Sequence, residues 1–147
     1  VTSVVASAEI GRPASDVFAY ATDPRTFHEW QKGVVAGHLE AGGAPQVGAR
    51  CVTTRRIGFA TRPLASEIVA LDPPRRWVIE SLAGPIRAHV EVTVDALADD
   101  RSRLTIVIAF AGRGIGRAVV PLFVVPEARR EMPENLAVLR RRLEDHG

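Results

Sequence analysis

The residue types that most often carry chemistry are few in this 147-residue chain, and their spacing excludes most reaction classes. His28, His38, His89 and His146 share no ligand spacing, and His28-Glu29-Trp30 does not continue into the H-E-x-x-H of a zinc hydrolase. No metal site is expected from them. Cys51 is the only cysteine, so neither an internal disulfide nor a cysteine-cluster metal site can form. It reads as a small core residue of a protein kept in a reducing compartment. No G-x-S-x-G is present, and nucleophilic catalysis has no support. Gly112-Arg113-Gly114-Ile115-Gly116-Arg117 follows a strand pattern and opens a helical one, which is where a phosphate-cradling loop would sit. Arg117, however, stands where the dinucleotide fingerprint needs its last glycine, and no parallel strand follows. The stretch reads as a flexible turn that admits the last helix. No cofactor is expected.

The remaining polar side chains matter according to which way their strands face. Cys51, Thr53, Arg55 and Ile57 share one parity, and Arg50, Val52, Thr54 and Arg56 the other. The first set is taken as inward. An inward Arg55 would need Glu67, Glu80 or an anionic or carbonyl group on a ligand, unless its stem packs while its head reaches water. In the next-but-one strand Trp77, Ile79 and Ser81 oppose Val78, Glu80 and Leu82. The tryptophan sets its own row inward; the reverse would bury Glu80 and raise its pKa into a useful range for acid catalysis. Trp30 and Trp77 read as core or cavity wall, each with an indole N–H that wants a partner. His89 falls on the wet parity and reads as a surface residue.

The elements that must position these groups follow from composition and period. The chain is 46% apolar, enough for one core, and is read as a single domain over 1–147. Its longest uncharged apolar stretch, Ala118 to Pro126, contains two prolines and falls far short of the roughly 20 residues that cross a bilayer. Val1 to Ile10 lacks the basic head and apolar block of a signal peptide, and a cytoplasmic protein is expected. Nineteen basic against 17 acidic residues give a formal charge of +2, yet the pI is about 9.3, because every cation but Lys32 is arginine. The run Arg50, Arg55, Arg56, Arg62 reads as solvated strand faces, and no nucleic-acid partner is expected.

Residues 2–10 read as a strand, closed by Gly11-Arg12-Pro13, and a short helix follows with Val17, Tyr20 and Ala21 on its apolar face. Asp23-Pro24, an N-cap carboxylate before proline, starts a second short helix holding Phe27 and Trp30. Strand patterns then run over 34–41, 48–58, 63–71, 76–83, 86–96 and 103–111, separated by turn-rich linkers, the mark of an antiparallel meander. Ile86, Ala88, Val90, Val92 and Val94 alternate with polar residues, as do Leu104, Ile106, Ile108 and Phe110. Finally, Met132, Leu136, Leu139 and Leu143 recur at helical spacing. Ile115 to Val125 is apolar on nearly every side and should be enclosed or line a cavity. Pro121, Pro126 and Pro133 predict a kinked or segmented helix.

In this order the chain resembles the START-like (SRPBCC) superfamily, in its polyketide cyclase/dehydrase and lipid-transport branch. The resemblance rests on Arg12-Pro13-Ala14-Ser15-Asp16-Val17-Phe18 leading to Asp23-Pro24 and Trp30, on Val47-Gly48-Ala49-Arg50, on Leu71-Asp72-Pro73-Pro74-Arg75-Arg76, on Gly84-Pro85, and on the closing Leu139-Arg140-Arg141-Arg142-Leu143-Glu144. It covers nearly the whole chain. It implies an α+β helix-grip fold: a seven-stranded curved antiparallel sheet, two short helices after the first strand, and a long, kinked C-terminal helix over an apolar cavity. The implied function is binding of a hydrophobic small molecule such as a lipid, polyketide or isoprenoid. The wall would draw on Trp30, Thr53, Arg55, Phe59, Ile68 and Trp77. Later strands and the last helix would add Ile79, Val90, Ile108, Phe110, Val119 and Phe123. Two other readings stay open. One is a cyclase or dehydrase acting in the same cavity, with Arg55, Tyr20 or Glu80 as its catalytic groups. The other is a protein-interaction domain of the chaperone-regulator kind, which needs an exposed apolar patch. A monomer or homodimer without stable membrane insertion is expected.

Overall fold

The structure, a computed structural model, describes residues 2–57 and 59–145. Gly58, at the end of the strand expected over 48–58, the Ile57 side chain and His146 lie outside the described part. β1 (Thr2–Ile10) leads to α1 (Ala14–Ala21), a 3-10 turn (Pro24–Thr26) and α2 (Phe27–Trp30). Six strands follow: β2 (Val34–Leu39), β3 (Arg50–Ile57), β4 (Ala60–Asp72), β5 (Arg76–Ser81), β6 (Ile86–Ala98) and β7 (Arg101–Gly112). The chain then forms α3 (Gly116–Val119), a π turn (Val120–Val124) and α4 (Val125–Asp145). All seven strands lie in one sheet, in the order β1-β7-β6-β5-β4-β3-β2, and every pairing is antiparallel. This is the expected α+β helix-grip architecture.

Local chemistry explains the short helices. Asp23 accepts a hydrogen bond from the Arg25 backbone N–H at 3.0 Å, and Pro24 takes the first position of the turn, where its missing N–H is no loss. Arg12 binds Asp16 at 2.7 Å across the first turn of α1 and also donates to the Leu143 carbonyl at 2.6 Å. With the Gly11 N–H donating to Glu144 at 2.8 Å, these contacts tie the end of β1 to the end of α4.

Three register shifts bend the sheet, between Val34 and Ala36, Ile68 and Ala70, and Ala96 and Ala98. A bulge inserts a residue, kinks the strand and resets its parity. The middle shift places both Ile68 and Leu71 opposite inward residues of β5, Ile79 and Trp77. α4 lies inside this curve and packs against β1 and α2. Its Met132, Leu136, Leu139 and Leu143 are all buried, as their spacing predicts. The run from Gly116 to Asp145 is continuously helical and changes its hydrogen-bonding type where the first prolines fall. Pro121 falls in the π turn, Pro126 directly follows that turn at the second residue of α4, and Pro133 lies inside α4, where it forgoes one bond.

One expectation fails here. The segment from Ile115 to Val125 is not enclosed: Gly116, Val120 and Val125 are buried, but Ile115, Leu122 and Phe123 are exposed. The short π turn has one side on the domain and cannot bury an apolar circumference. α3 itself enters under close constraint, because Arg113 donates to the Pro85 carbonyl at 2.9 Å and the Gly116 Cα rests on that same oxygen, leaving no room for a Cβ.

Leu139 is wholly inaccessible to water. Leu139→Ala is expected to lower unfolding free energy by roughly 2–5 kcal/mol in urea denaturation, the range for leucines deleted from packed cores. A loss below about 1 kcal/mol would show that α4 is not gripped at this point.

Candidate functional site

The inward rows of five strands show one gradient. On β7, Leu104 and Ile106 are buried while Ile108 and Phe110 are half-buried; on β6, Val94 and Val92 are buried while Val90 and Ala88 are half-buried. β5 runs from buried Trp77 to half-buried Ile79 and Ser81, and β4 from buried Ile68 through half-buried Ser66 to exposed Leu64. β3 runs from buried Cys51 to half-buried Thr53 and Arg55. In each case water gains access in the same direction, toward the end that carries the β3–β4 turn, the β5–β6 turn and the entry to α3. The α4 leucines close the other end. The inward face is therefore packed at its base and reachable by water at its top, and this half-open part is termed the groove.

At the base, Phe27 sits edge-on to both Trp30 and Trp77, with ring centroids 6.0 Å apart in each pair. The indole nitrogens of Trp30 and Trp77 are both buried without a hydrogen-bond partner. A buried donor left unsatisfied costs about 1–3 kcal/mol, so these two N–H groups are sites that an acceptor would relieve. Half-buried Val124 and Ala128, from the π turn and α4, pack against the same core cluster.

Arg55 is the polar feature of the groove. Its guanidinium donates to Gln31 Oε1 at 3.0 Å, and desolvation holds its pKa below the ordinary arginine value, with the Glu131 carboxylate offsetting part of that at longer range. The expected partners Glu67 and Glu80 are not used. Glu67 pairs in register with Arg50 on the opposite parity, and Glu80 is exposed on the outer face with His89 at 3.8 Å. Across the strand pair Arg55 stands opposite Arg62, a like-charge juxtaposition that raises the positive potential at the top of the groove. Glu131 is itself pushed above the usual carboxylate range by burial and by neighbouring Glu127, against the pull of Lys32 and Arg130. Asn135 accepts from the Lys32 N–H at 3.1 Å and so links α4 to the α2–β2 connection beside Gln31.

The sequence-derived positions divide clearly. Thr53, Arg55, Ile79, Val90, Ile108 and Phe110 come together as half-buried inward residues; Trp30, Ile68 and Trp77 lie in the packed base. Val119 is half-buried on α3. Phe59 and Phe123 are corrections. Phe59 occupies the β3–β4 turn with its ring fully in water, and Phe123 is 66% exposed on the π turn, so neither stands on the inward face. Tyr20 is apart as well: its hydroxyl donates to Glu29 at 2.8 Å, and burial and that carboxylate raise its pKa. It lines a surface cleft of about 380 Å³ between α1 and the end of α4, with Arg12 and Arg142. A second cleft, of about 450 Å³, lies beside the β2–β3 connection, away from the sheet's inward rows. Gln31, which bonds Arg55, and Phe27, at the packed base, are neighbours that parity could not find, since neither lies on a strand. Among the described residues, no cluster of His, Cys, Asp or Glu could hold a metal ion, and no helix is long and apolar enough to cross a membrane.

A family model described as polyketide cyclase/dehydrase and lipid transport matches residues 1–144. The chain belongs to that family. Solved structures share the fold of this chain across its length. The Zhui aromatase/cyclase from Streptomyces sp. R1128 is 14% identical with a TM-score of 0.82, covering 99% of this chain and 94% of that one. A START superfamily protein from Mycobacterium smegmatis is 14% identical with a TM-score of 0.77, covering 99% of each chain. A protein of Thermus thermophilus is 15% identical with a TM-score of 0.78 and covers 99% of each. Comparison with curated proteins gives no match. At these identities the family's fold is shared, while the groove's side chains are this chain's own.

Burial pushes the Cys51 thiol from its ordinary 9.0 up to about 11. The folded state keeps this proton to higher pH than the unfolded chain, so the thiol's contribution to stability is intact below the ordinary value and is lost as pH rises toward the folded one. At mildly alkaline pH, a disulfide reagent is expected to label folded protein at least roughly a hundredfold more slowly than urea-unfolded protein. Equal rates would place Cys51 in open contact with water.

Proposed function

We propose that the chain binds a hydrophobic small molecule in the groove between sheet and α4, with a carbonyl or anionic end directed at Arg55. The observation that supports this is the gradient along the inward rows: Ile79, Val90, Ile108 and Phe110 face the helix yet stay half-open, where a packed core would have closed over them. Family membership adds an associational argument in the same direction. The open part of the wall is chiefly aliphatic, and aromatic residues make up only 5% of the chain. Such a wall offers little stacking to a planar polycycle and suits a flexible chain of the lipid or isoprenoid kind. The protein would work in the cytoplasm on this reading, exchanging its ligand through the open end.

A second reading, cyclase or dehydrase chemistry, is favoured by one observation. Arg55 is a partly desolvated cation on the inward face, where it could stabilise an enolate oxygen formed on a bound polyketone. Glu80 has no part in it from the outer face, and Tyr20 does not join Arg55. Glu131, which acts on Arg55 electrostatically, is the remaining carboxylate that such a reaction could call on to move a proton.

Native mass spectrometry and organic extraction of freshly purified protein should reveal a co-purifying apolar molecule. Val90→Trp is expected to fill the groove and abolish both this and the binding of a fluorescent fatty acid. Arg55→Met should weaken the fatty acid roughly tenfold, the loss of one charge-assisted hydrogen bond, and leave its neutral alcohol analogue little changed. Wild-type protein that carries nothing and binds neither probe would overturn the reading. Turnover of a model polyketone that disappears in Arg55→Met would select the enzymatic one.

A further inference from the structure

The residues that folding leaves most conspicuously in water are gathered at one end of the domain. Nine large apolar side chains are exposed among the described residues, and six of them, Phe59, Leu64, Ile86, Ile115, Leu122 and Phe123, belong to the segments that rim the open end of the groove. Phe59 and Leu64 stand on the β3–β4 hairpin, Ile115 just before α3, and Leu122 and Phe123 on the π turn after it. The strand order separates these two lips by β5, β6 and β7. Ile86 opens β6 between them, next to the turn on which Gly116 rests.

Charge is segregated in the same place. Residues 52–66, 81–90 and 107–126, which build this end, contain Arg55, Arg56, Arg62, Arg87, Arg113 and Arg117 and no aspartate or glutamate. Arg56, Arg62, Arg113 and Arg117 are exposed. The opposite end mixes both signs: Asp72, Asp95, Asp99 and Asp100 stand there among Arg75, Arg76 and Arg101, and Arg75 pairs with Asp72 at 2.7 Å. Carboxylates border this end rather than stud it: Glu127 and Glu131 lie past the π turn on α4, with Glu127 4.0 Å from Arg130, and Glu80 lies on the outer face of β5, 3.8 Å from His89. A chain with a net charge of only +2 thus presents one strongly cationic, apolar-studded end.

We propose that this end docks, peripherally and reversibly, on an anionic phospholipid surface. The exposed phenylalanines and leucines would enter the headgroup boundary, and the arginines among them would meet lipid phosphates. A second copy of the chain fits this face poorly, because a two-fold contact would set arginines against arginines. A protein partner would need both a carboxylate-rich rim and a shape matching two separated lips, whereas a fluid interface conforms to both. The inference goes beyond ligand binding and does not depend on it, since it concerns the outer surface alone.

Flotation of the full chain with vesicles tests it. Vesicles of phosphatidylcholine and phosphatidylglycerol in a two-to-one ratio should carry the protein, phosphatidylcholine alone should not, and added salt should release it. Phe59→Ser with Phe123→Ser should abolish flotation; both rings are exposed, so the fold and the binding of a fluorescent fatty acid should be retained. Arg113→Gln with Arg117→Gln should lower partitioning roughly thirtyfold, each surface cation being worth several-fold in affinity. Equal flotation with neutral vesicles, flotation with neither, or a dimer in solution that dissociates in the Phe59→Ser, Phe123→Ser variant would overturn the proposal. The last result would make this face an interface between copies. Failure of vesicle binding with fatty-acid binding intact would leave the groove's proposed function standing.

Discussion

A single helix is too narrow to cover a seven-stranded sheet, and the rest of the structure follows from that mismatch. Seven strands spaced about 4.8 Å apart span roughly 30 Å, whereas a helix with its side chains is about 10 Å across. The sheet therefore has to curl around α4, and the three register shifts supply the bends. Even a curled sheet cannot be covered equally along its whole length. The Arg12, Gly11 and Glu144 contacts pin the C-terminal end of α4 to the end of β1, so the leucine face is driven onto the base of the curve. At the other end the chain arrives through a π turn holding a proline, and the inward rows are left half-open.

The same geometry explains why polar groups survive inside. A residue such as Arg55 could not persist in a close-packed core without a full set of partners. At the boundary between packed base and open top it needs only Gln31 as a side-chain partner and partial access to water. The cation thus sits where its desolvation is incomplete but its field is less screened than at the surface. The unpartnered indole N–H groups of Trp30 and Trp77 lie deeper, and each is a local cost of its own.

Much of this is legible in the residues. Strand alternation is a local property, so the inward rows of β5, β6 and β7 can be read directly, and Trp77 correctly turns Glu80 outward. The spacing of Met132, Leu136, Leu139 and Leu143 marks the buried face of α4 for the same reason. Contacts between distant elements are not legible. Gln31 ends α2 and Glu131 lies on α4, and only the closed fold brings either of them into the surroundings of Arg55. Parity also loses meaning at a hairpin tip: Phe59 is aromatic and next to a strand, but it occupies the turn, where neither face of the sheet claims it.

The segment from Ile115 to Val125 teaches a different lesson. Its apolar character reads as a demand for enclosure, and the natural assumption is that the chain itself encloses it. Hydrophobicity fixes only the free-energy cost of leaving those side chains in water, not the identity of what covers them. Folding satisfies Val120 and Val125 from within and leaves Ile115, Leu122 and Phe123 outside, next to Arg113 and Arg117. An exposed apolar run with no cations could be put down to imperfect packing. Interleaved with arginines and with no carboxylate between residues 107 and 126, it has the composition of a surface that meets an anionic, partly apolar environment. The composition that reads as surplus core in the sequence is better understood as two surfaces, one turned in toward a groove and one turned out around its mouth.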